Sequence, residues 1–476
     1  MALQGFGDIA RLLVLNTDSY KTSHWRQYPP GTTTVFSYIE ARGGALPYTV
    51  FFGLQAILKE YLVKPVTADD VAFATEICAA HGVPFNREGW QHIVDAHGGR
   101  LPLRIRAVAE GTVVPINHAL ATVENTDPAC WWLTSYVETA LLRVWYPTTV
   151  ASQGLATRRL IAGALARTGD PAGLPFKLHD FGARGVSSLE SAMLGGMAHL
   201  VNFRGTDTIT ALLGARTYYG EPMAGFSLPA AEHSTITAWG RAGELDAYRN
   251  MLRQYGRPGA LLAVVSDSYD LDAAVSRLWG GALREEVIAS GATVVIRPDS
   301  GDPTSVVLRT VRALDASFGA DVNAKGFRVL RHVRVIQGDG ITRESIASIL
   351  GALESAGYSA DNVTFGQGGA LLQQVHRDTL GFAMKASAAQ VGGEWRDVFK
   401  APVTDPAKRS KAGRLTLMRR ANDSSQAFAT VRLDSPGYQQ ALADGATEAL
   451  RTVFEDGRLL VDDSFAAIRA RVGGEC

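Results

Sequence analysis

The feature that most constrains the fold is a repeated unit of buried strand, charged loop and helix along residues 176–385. Its clearest example is the stretch TVVIRPDSGDP, in which a β-branched run beginning at Thr293 leads into Arg297 and Asp299. A strand with almost no polar atoms is typical of a sheet buried on both faces. A fixed cation and anion at the end of such a strand are costly unless the loop is functional.

The repeated unit predicts a parallel sheet. Strands are expected at residues 176–181, 199–203, 261–266, 293–296, 333–336, 362–365 and 381–385. Helices are expected between them, at residues 186–195, 271–279, 304–317 and 343–355. About seven repeats favour a closed (β/α) barrel over an open sheet. Residues 222–234 lack a clear strand, so we expect the barrel to be irregular.

The flanking segments have a different pattern. Residues 33–39 alternate like a strand, residues 51–100 resemble helices with Thr67 as an N-cap, and residues 101–125 resemble turned strands. After residue 385 the pattern indicates a loop, a hairpin and a terminal helix at 463–471. We therefore predict an α/β protein in which the N-terminal and C-terminal segments form an α+β domain beside the barrel. The predicted divisions are 1–170, 171–386 and 387–476.

Composition excludes several classes of protein. The chain is 46% hydrophobic and carries 47 basic and 47 acidic side chains, so a nucleic acid or an anionic membrane is not expected as a partner. The apolar stretch 131–146 contains Glu138 and Arg143, which favours a core or interface helix over a membrane span. The three cysteines are an odd number without a Cys-x-x-Cys pair, which indicates a reducing, cytoplasmic setting.

Two further classes lack their motifs. The sequence has no Walker A motif and no GxGxxG after a first strand, so neither P-loop chemistry nor Rossmann hydride transfer is supported. Histidine and cysteine do not occur at zinc spacing, because His92 and His97 are five residues apart and Cys78 and His81 lack partners.

Polar residues follow every predicted strand of the barrel. In chain order they are Asp180 and Arg184, Asp207, Asp267, Arg297 and Asp299, Gln337 and Asp339, Gly366 to Gly369, and Lys385. Residues just past the strands of such a barrel converge on one edge, where active sites are built. A single aspartate in such a loop is more often a helix cap, but seven loops of this kind favour a functional site.

Three further features of the sequence each have two interpretations. His233 precedes a helix expected to start near Glu232, where it is either an oriented nucleophile or a hydrogen-bonded spacer. The basic run at 405–414 is either a solvated face or a phosphate clamp. Asp302 either contacts Mg²⁺ or caps the helix beginning at Pro303, and the cap is favoured.

Nine co-linear motifs carry a resemblance that covers essentially the whole chain. They are DSYK (18–21), YPP (28–30), KLHDFGARGVSS (177–188), NFRGTDT (202–208), LPAAEHSTITAWG (228–240), VVSDSYD (264–270), IRPDSGDP (296–303), IQGDG (336–340) and KRSKAGRL (408–415). In these motifs the chain resembles the nicotinamide phosphoribosyltransferases, a family of type II phosphoribosyltransferases. Ala183 and Ala370 depart from the family pattern without removing a charge.

The resemblance implies the condensation of nicotinamide with phosphoribosyl pyrophosphate to nicotinamide mononucleotide and pyrophosphate, as in NAD biosynthesis. It further implies Mg²⁺ as cofactor, coupling to ATP, and a homodimer with active sites at the subunit interface. His233 would be the histidine that ATP phosphorylates. The metal ligands are not assigned.

The resemblance also implies the substrate contacts. Phe181, with Tyr20 of the partner subunit, would stack on the pyridine ring, and Asp207, near Arg184, would accept a hydrogen bond from the carboxamide. The remaining groups would be Arg297, Asp299, Gly338 and Asp339 for the ribose and the reacting centre, Gly368, Gly369 and Arg377 for the 5′-phosphate, and Arg42, Lys385, Lys400 and Lys408 for pyrophosphate.

Two other functions fit the same fold. Nicotinate phosphoribosyltransferase is the nearest, and Asp207 argues against it because one carboxylate would face another at about 4 Å, costing roughly 4 kcal/mol at an effective dielectric of 20. A non-catalytic ligand-binding protein would have lost the charges at the strand ends, and this sequence keeps them.

Overall fold

The computed structural model describes residues 5–404, 410–420 and 428–474. The chain forms two compact units. The first comprises the chain up to Ser152, the short segment Thr217–Gly220 and the chain from His376 onward, and the second comprises Gln153–Arg216 and Glu221–Val375. The three-part division predicted from the sequence stays a prediction.

The second unit contains a six-stranded parallel sheet, which forms a half-barrel. Across the sheet the strands are Gly205–Thr206, Leu178–Asp180, Val363–Gln367, Val333–Gln337, Thr293–Arg297 and Leu261–Val265. Every neighbouring pair is parallel. The predicted α/β class and the repeated strand–loop–helix unit are confirmed.

The two faces of this sheet are buried in different clusters. Val294 and Ile296 point into a large apolar core that includes Trp279. Val295, between them, belongs to a small cluster on the opposite face, against which Phe181 packs. The alternation of side chains along a strand thus explains why the sequence is apolar at every position here.

Helices follow most strands of the second unit. They are Leu189–Leu200, Ile209–Tyr219, His233–Thr237, Glu244–Tyr255, Leu271–Ala273 continuing as a π-helix through Ala282, Arg284–Ser290, Pro303–Phe318, Arg343–Ser355 and Gly369–Leu372. The Asp302 side chain accepts the backbone N–H of Ser305 at 2.9 Å, and the Thr342 hydroxyl accepts that of Ser345 at 3.2 Å. The predicted cap at Asp302 is confirmed, and Thr342 caps the helix Arg343–Ser355 in the same way.

Two predicted strands of the barrel are wrong. Residues 199–203 are the end of the helix Leu189–Leu200 and a turn, because a short apolar run fits a buried helix as well as a buried strand. The strand expected at 381–385 is part of Phe382–Val391, which pairs antiparallel with Thr32–Ala41 in the first unit. The sequence of a strand does not by itself reveal the direction of its partner.

The first unit is built on a seven-stranded antiparallel sheet. In spatial order its strands are Glu394–Asp397, Phe382–Val391, Thr32–Ala41, Ala119–Asn125, Leu103–Ala107, Arg451–Glu455 and Arg458–Leu459. Smaller sheets join Tyr48–Val50 to Val113–Pro115, and Phe428–Arg432 to Leu415–Arg419 and Thr447–Glu448. Three N-terminal strands lie at the centre of this sheet with C-terminal strands on both sides, which confirms the predicted α+β part.

The helices of the first unit precede, connect and follow these strands along the chain. They are Phe6–Arg11, Leu54–Ile57 continuing as a π-helix to Leu62, Ala68–His81, Arg87–His97, Leu133–Tyr136, Glu138–Leu142, Pro436–Ala443 and Phe465–Gly473. Thr67 caps its helix as predicted. The single helix expected at 131–146 is instead divided into short pieces before the long helix Trp145–Thr168. Within the described ranges, every helix is too short or too polar to cross a membrane.

Glu110 is a buried acid in the first unit. Its carboxylate accepts the backbone N–H of Gln55 at 2.6 Å and the hydroxyl of Tyr219 at 2.9 Å. Burial raises the pKa of Glu110 from the ordinary 4.5 to about 7, although these hydrogen bonds partly oppose the rise.

This raised pKa predicts a pH-dependent stability. Between pH 4.5 and about 7 the unfolded chain releases a proton that the folded protein keeps, so the free energy of unfolding falls as pH rises through that window. We expect ionisation of Glu110 to lower the free energy of unfolding by on the order of 3 kcal/mol between about pH 4 and pH 8. Denaturation at both pH values should show a smaller decrease in this free energy for Glu110→Gln than for wild type. The exposed Glu394→Gln should behave as wild type, and an equal loss in all three would contradict this assignment.

Candidate active site

The carboxyl ends of the six parallel strands lie along one edge of the sheet in the second unit, and a cavity of about 580 Å³ opens there. Its lining comprises Phe181, Ala183, Arg184, Asp207, Ala230, Ala231, Glu232, His233, Ser234, Arg297 and Asp299. Six residues predicted from the sequence as site residues are thereby brought together: Phe181, Arg184, Asp207, His233, Arg297 and Asp299. The helix expected near Glu232 begins at His233, so the loop before it places the imidazole in the cavity.

Asp299 connects an arginine and a histidine. Its Oδ2 lies 3.4 Å from Nη2 of Arg297 and 3.2 Å from Nε2 of His233. On the other side of the ring, Nδ1 of His233 lies 3.1 Å from the hydroxyl of Ser268. The imidazole is therefore held at both nitrogens while nearly half of its surface remains exposed, at 47%.

Asp267 holds the loop that carries Asp299. Its Oδ2 accepts the backbone N–H of Asp299 at 2.9 Å and the hydroxyl of Ser300 at 2.6 Å. Its Oδ1 is buried and finds no hydrogen-bond partner among the described residues, and it lies 3.9 Å from Nε2 of His233. Asp267 follows a predicted strand, but no role was predicted for it. Its position directly after a strand, which pointed to Asp299, would have identified it as a site residue too.

Two glycines make room for the Phe181 ring. The backbone N–H of Phe181 donates to the carbonyl of Gln367 at 3.0 Å, which extends the parallel pairing by one residue. A Cβ on Gly366 would lie 1.9 Å from the ring, and one on Gly338 would lie 3.3 Å from it. The Phe181 ring forms one face of an apolar slot for a flat molecule. Its position depends on backbone spacing and on the absence of side chains at Gly338 and Gly366.

Asp207 lies beside this slot in the same cavity. Its backbone N–H donates to the carbonyl of Asp180 at 2.9 Å, and its carboxylate accepts the hydroxyl of Ser227. Burial lowers the pKa of the neighbouring His179 to about 4, so that imidazole is neutral at pH 7. The side chain of Asp207 therefore has a hydroxyl donor in Ser227 and no positive charge on His179.

The remaining predicted residues of the second unit are in two loops. Asp339 follows the strand Val333–Gln337, and its carbonyl accepts the side-chain N–H of Gln337 at 3.0 Å. Gly368 and Gly369 lead from a strand into the one-turn helix Gly369–Leu372. Ala370, the departure from the family pattern, lies inside that turn.

Five predicted residues belong to the first unit. Arg42 donates from Nε to the carbonyl of Gly381 at 3.2 Å, and Lys385 lies opposite Tyr38 in the sheet. The backbone N–H of Lys400 donates to the hydroxyl of Ser410 at 2.9 Å, and its carbonyl accepts the backbone N–H of Ser410 at 3.0 Å. The other two are Tyr20, which is 60% exposed, and Arg377, whose Nη2 lies 3.0 Å from the carboxylate of Asp378. Lys408 lies outside the described residues. The substrate contacts of all six residues stay predictions.

Solved structures share this fold. Nicotinate-nucleotide pyrophosphorylase from Pyrococcus furiosus matches with a TM-score of 0.61 at 14% identity, covering 100% of this chain and 97% of the other. Human nicotinic acid phosphoribosyltransferase matches with a TM-score of 0.54 at 19% identity, covering 96% and 93%. The chain therefore has the same overall fold as these two structures.

Sequence comparisons are more specific. Residues 176–458 match the model of the nicotinate phosphoribosyltransferase (NAPRTase) family, and residues 12–105 match that of the nicotinamide phosphoribosyltransferase N-terminal domain. A nicotinamide phosphoribosyltransferase of Xanthomonas campestris pv. campestris is 58% identical over 96% of this chain and 97% of its own. One of Acinetobacter baylyi is 32% identical, with 96% of each chain covered. The chain belongs to the NAPRTase family, and the resemblance found in the sequence is confirmed.

The close packing of the Phe181 ring against Gly366 gives a prediction for Gly366→Ala. The added methyl group would overlap the ring, and overpacking of this kind costs about 1–3 kcal/mol. We expect a lower melting temperature for this variant and a smaller decrease when it is combined with Phe181→Leu. Gly351→Ala is the control, because a Cβ there meets nothing within 4 Å among the described residues. An equal decrease with Phe or Leu at position 181 would show that the ring is not what Gly366 accommodates.

Proposed function

We propose that this enzyme transfers the phosphoribosyl group of phosphoribosyl pyrophosphate to nicotinamide, forming nicotinamide mononucleotide and pyrophosphate in NAD salvage. The observation that carries the proposal is the charged Asp207 in the same cavity as the Phe181 slot. A carboxylate there accepts a hydrogen bond from a neutral carboxamide and repels a carboxylate. The name of the 58% identical relative supports the same substrate.

The chemistry is a displacement at C1 of the ribose. A bond forms from the pyridine nitrogen to C1, the bond from C1 to the pyrophosphate oxygen breaks, and its electron pair leaves with pyrophosphate. The nitrogen changes from neutral to cationic without transfer of a proton, so nicotinamide needs positioning more than activation. The ribose becomes oxocarbenium-like, and the carboxylate of Asp299 stabilises that positive charge.

Mg²⁺ is the cofactor we propose, and the residues fit it. The buried Oδ1 of Asp267 has no hydrogen-bond partner in the described part of the chain, and Asp299 lines the cavity above it. Mg²⁺ takes oxygen ligands, commonly one or two carboxylates together with phosphate groups and water. Asp267 and Asp299 would hold it, and the bound ion would offset the negative charge of pyrophosphate.

Coupling to ATP would act through His233. If Nε2 carries the proton and donates to Asp299 at 3.2 Å, the lone pair of Nδ1 is free to attack phosphorus, once the Ser268 hydroxyl at 3.1 Å turns away. The bond from Nδ1 to the γ-phosphorus forms as the bond to ADP breaks. The resulting phosphoryl group adds negative charge and acceptor oxygens in the cavity. Hydrolysis after product formation returns free His233.

We further propose a cytoplasmic homodimer with shared active sites. The second unit exposes large apolar side chains that a partner could cover: Phe176, Leu189, Ile209, Leu213, Met223 and Phe226. Exposed apolar groups in such number are typical of protein interfaces. Neither Cys78 nor Cys130 forms a disulfide within the described residues, which agrees with a reducing compartment.

An assay of wild type with phosphoribosyl pyrophosphate and either base tests the reaction. Nicotinamide should give mononucleotide, whereas nicotinate should give little. Asp207→Ser removes the repulsion of roughly 4 kcal/mol expected at 4 Å and an effective dielectric of 20, so the ratio of kcat/KM for the two bases should shift toward nicotinate by about two to three orders of magnitude. Chromatography of the products measures both rates.

Asp321→Ser, which replaces an exposed acid, should leave the preference unchanged. Efficient use of nicotinate by wild type would favour the alternative of a nicotinate phosphoribosyltransferase. Formation of neither mononucleotide would favour a non-catalytic ligand-binding protein.

His233→Gln tests the coupling. We expect the variant to keep product formation without ATP and to lose the stimulation by ATP, because the phosphoryl acceptor is gone. The ratio of rates with and without ATP should fall to about one, and label from γ-labelled ATP should no longer be retained on the protein. His81→Gln, at the end of a helix in the first unit, should keep both. Full ATP stimulation in His233→Gln would contradict the phosphohistidine.

A further inference from the structure

Four side chains in the first unit converge outside the catalytic cavity. His92 and His97 come from the helix Arg87–His97, and Asp127 and Cys130 come from the turn that follows the strand Ala119–Asn125. Both imidazole Nε2 atoms lie 2.7 Å from Oδ2 of Asp127. One ligand atom from each of the four residues lies within 4.8 Å of the others.

His92 and His97 do not have zinc spacing in the sequence, and the structure shows how they nevertheless come together. Two residues five apart do not share one face of a regular helix. Here His97 is the last residue of its helix, Gly98 ends the helix in a left-handed conformation, and the two rings stand 5.6 Å apart at 79°. Asp127 then reaches between them from a distant part of the chain.

We propose that His92, His97, Asp127 and Cys130 form a tetrahedral zinc site. Nitrogen, sulfur and carboxylate oxygen are the donors that Zn²⁺ takes, commonly four at a time in structural sites. With metal–ligand distances of 2.0–2.3 Å, ligand atoms in a tetrahedron are separated by about 3.4 Å. The separations here, from 2.7 Å up to 4.8 Å, bracket that value, so side-chain rotation closes the site.

Outer hydrogen bonds hold the ligand turn in position. Oδ1 of Asp127 accepts the backbone N–H of Ala129 at 2.8 Å, which leaves Oδ2 for the site. The side-chain amide of Asn125 donates to the carbonyl of Asp127 at 2.8 Å and accepts the backbone N–H of Val35 at 3.0 Å. The turn is therefore tied to the neighbouring strand, as the outer shell of a metal site requires.

Solvent reaches the site from one side. A cavity of about 560 Å³ is lined by His97 and Asp127, which gives an ion a route of entry. Cys130 is wholly buried and lies outside that lining, so its thiol is not placed to attack a substrate. Four protein donors leave no open coordination position, and the zinc would be structural, tying the end of the helix to the turn.

Zinc binding to the intact protein tests this proposal. We expect one Zn²⁺ per chain by elemental analysis after loading with zinc chloride and dialysis. His92→Gln and His97→Gln should each lower the affinity at least tenfold in competition with a chromogenic chelator. His81→Gln is the matched control, because His81 also ends its helix before a left-handed glycine but lies outside the cluster. Equal affinity in all four proteins, or no stoichiometric zinc in wild type, would overturn the site.

Cobalt reports on the sulfur ligand. Co²⁺ bound to wild type should show a thiolate-to-metal charge-transfer band, and Cys130→Ser should lose it while the protein remains folded by circular dichroism. Should that variant not fold, His97→Gln serves instead, since it should lose the tetrahedral Co²⁺ spectrum. Removal of zinc with a chelator should lower the melting temperature of wild type and leave that of His97→Gln unchanged. The zinc site would be overturned by a wild-type Co²⁺ spectrum without the band, or by equal changes of melting temperature in wild type and His97→Gln. The four side chains would then form a hydrogen-bond network without a metal.

Discussion

Parallel pairing of the strands in the second unit is the constraint on which the cavity at the strand ends depends. Because neighbouring strands run in one direction, the loops that carry Asp207, Asp299 and Asp339 leave the sheet at the same edge. The alternation of side chains then assigns each residue of a strand to one of two apolar clusters, and the smaller one supports the Phe181 ring. A change of register by one residue would exchange the clusters and remove the floor of the slot.

Polar atoms at this edge are arranged for a ligand rather than for stability. Within the described part of the chain, Nε of Arg297, Oδ1 of Asp267 and Oε1 of Gln337 are buried without hydrogen-bond partners. Each such atom destabilises a fold by about 1–3 kcal/mol unless something binds it. Their grouping along three adjacent strands agrees with a site that is completed by phosphate, ribose and metal, and bound substrate should stabilise the second unit through the same atoms.

The sequence predicted those parts of the structure that depend on local chemistry. Strands of β-branched residues, the caps at Thr67 and Asp302, and the position of polar residues after strands follow from short-range preferences. The prediction from sequence was wrong where a neighbouring strand decides which sheet a segment joins. The sequence of residues 382–391 fits a strand of either unit, and pairing with Thr32–Ala41 places it in the antiparallel sheet. The meeting of His97 with Asp127, and of Gly366 with Phe181, likewise depends on tertiary placement that no spacing encodes.

The mixed origin of the antiparallel sheet has a consequence for the chain as it leaves the ribosome. Thr32–Ala41 finds one neighbour, Ala119–Asn125, early, but its other neighbour, Phe382–Val391, is made roughly 260 residues later. At about 5–20 residues per second that delay is on the order of tens of seconds. During this time a ten-residue strand has one open edge, which is the kind of surface that joins other chains. Synthesis rate and chaperone capture should therefore influence the yield of folded protein more than the stability of the finished sheet does.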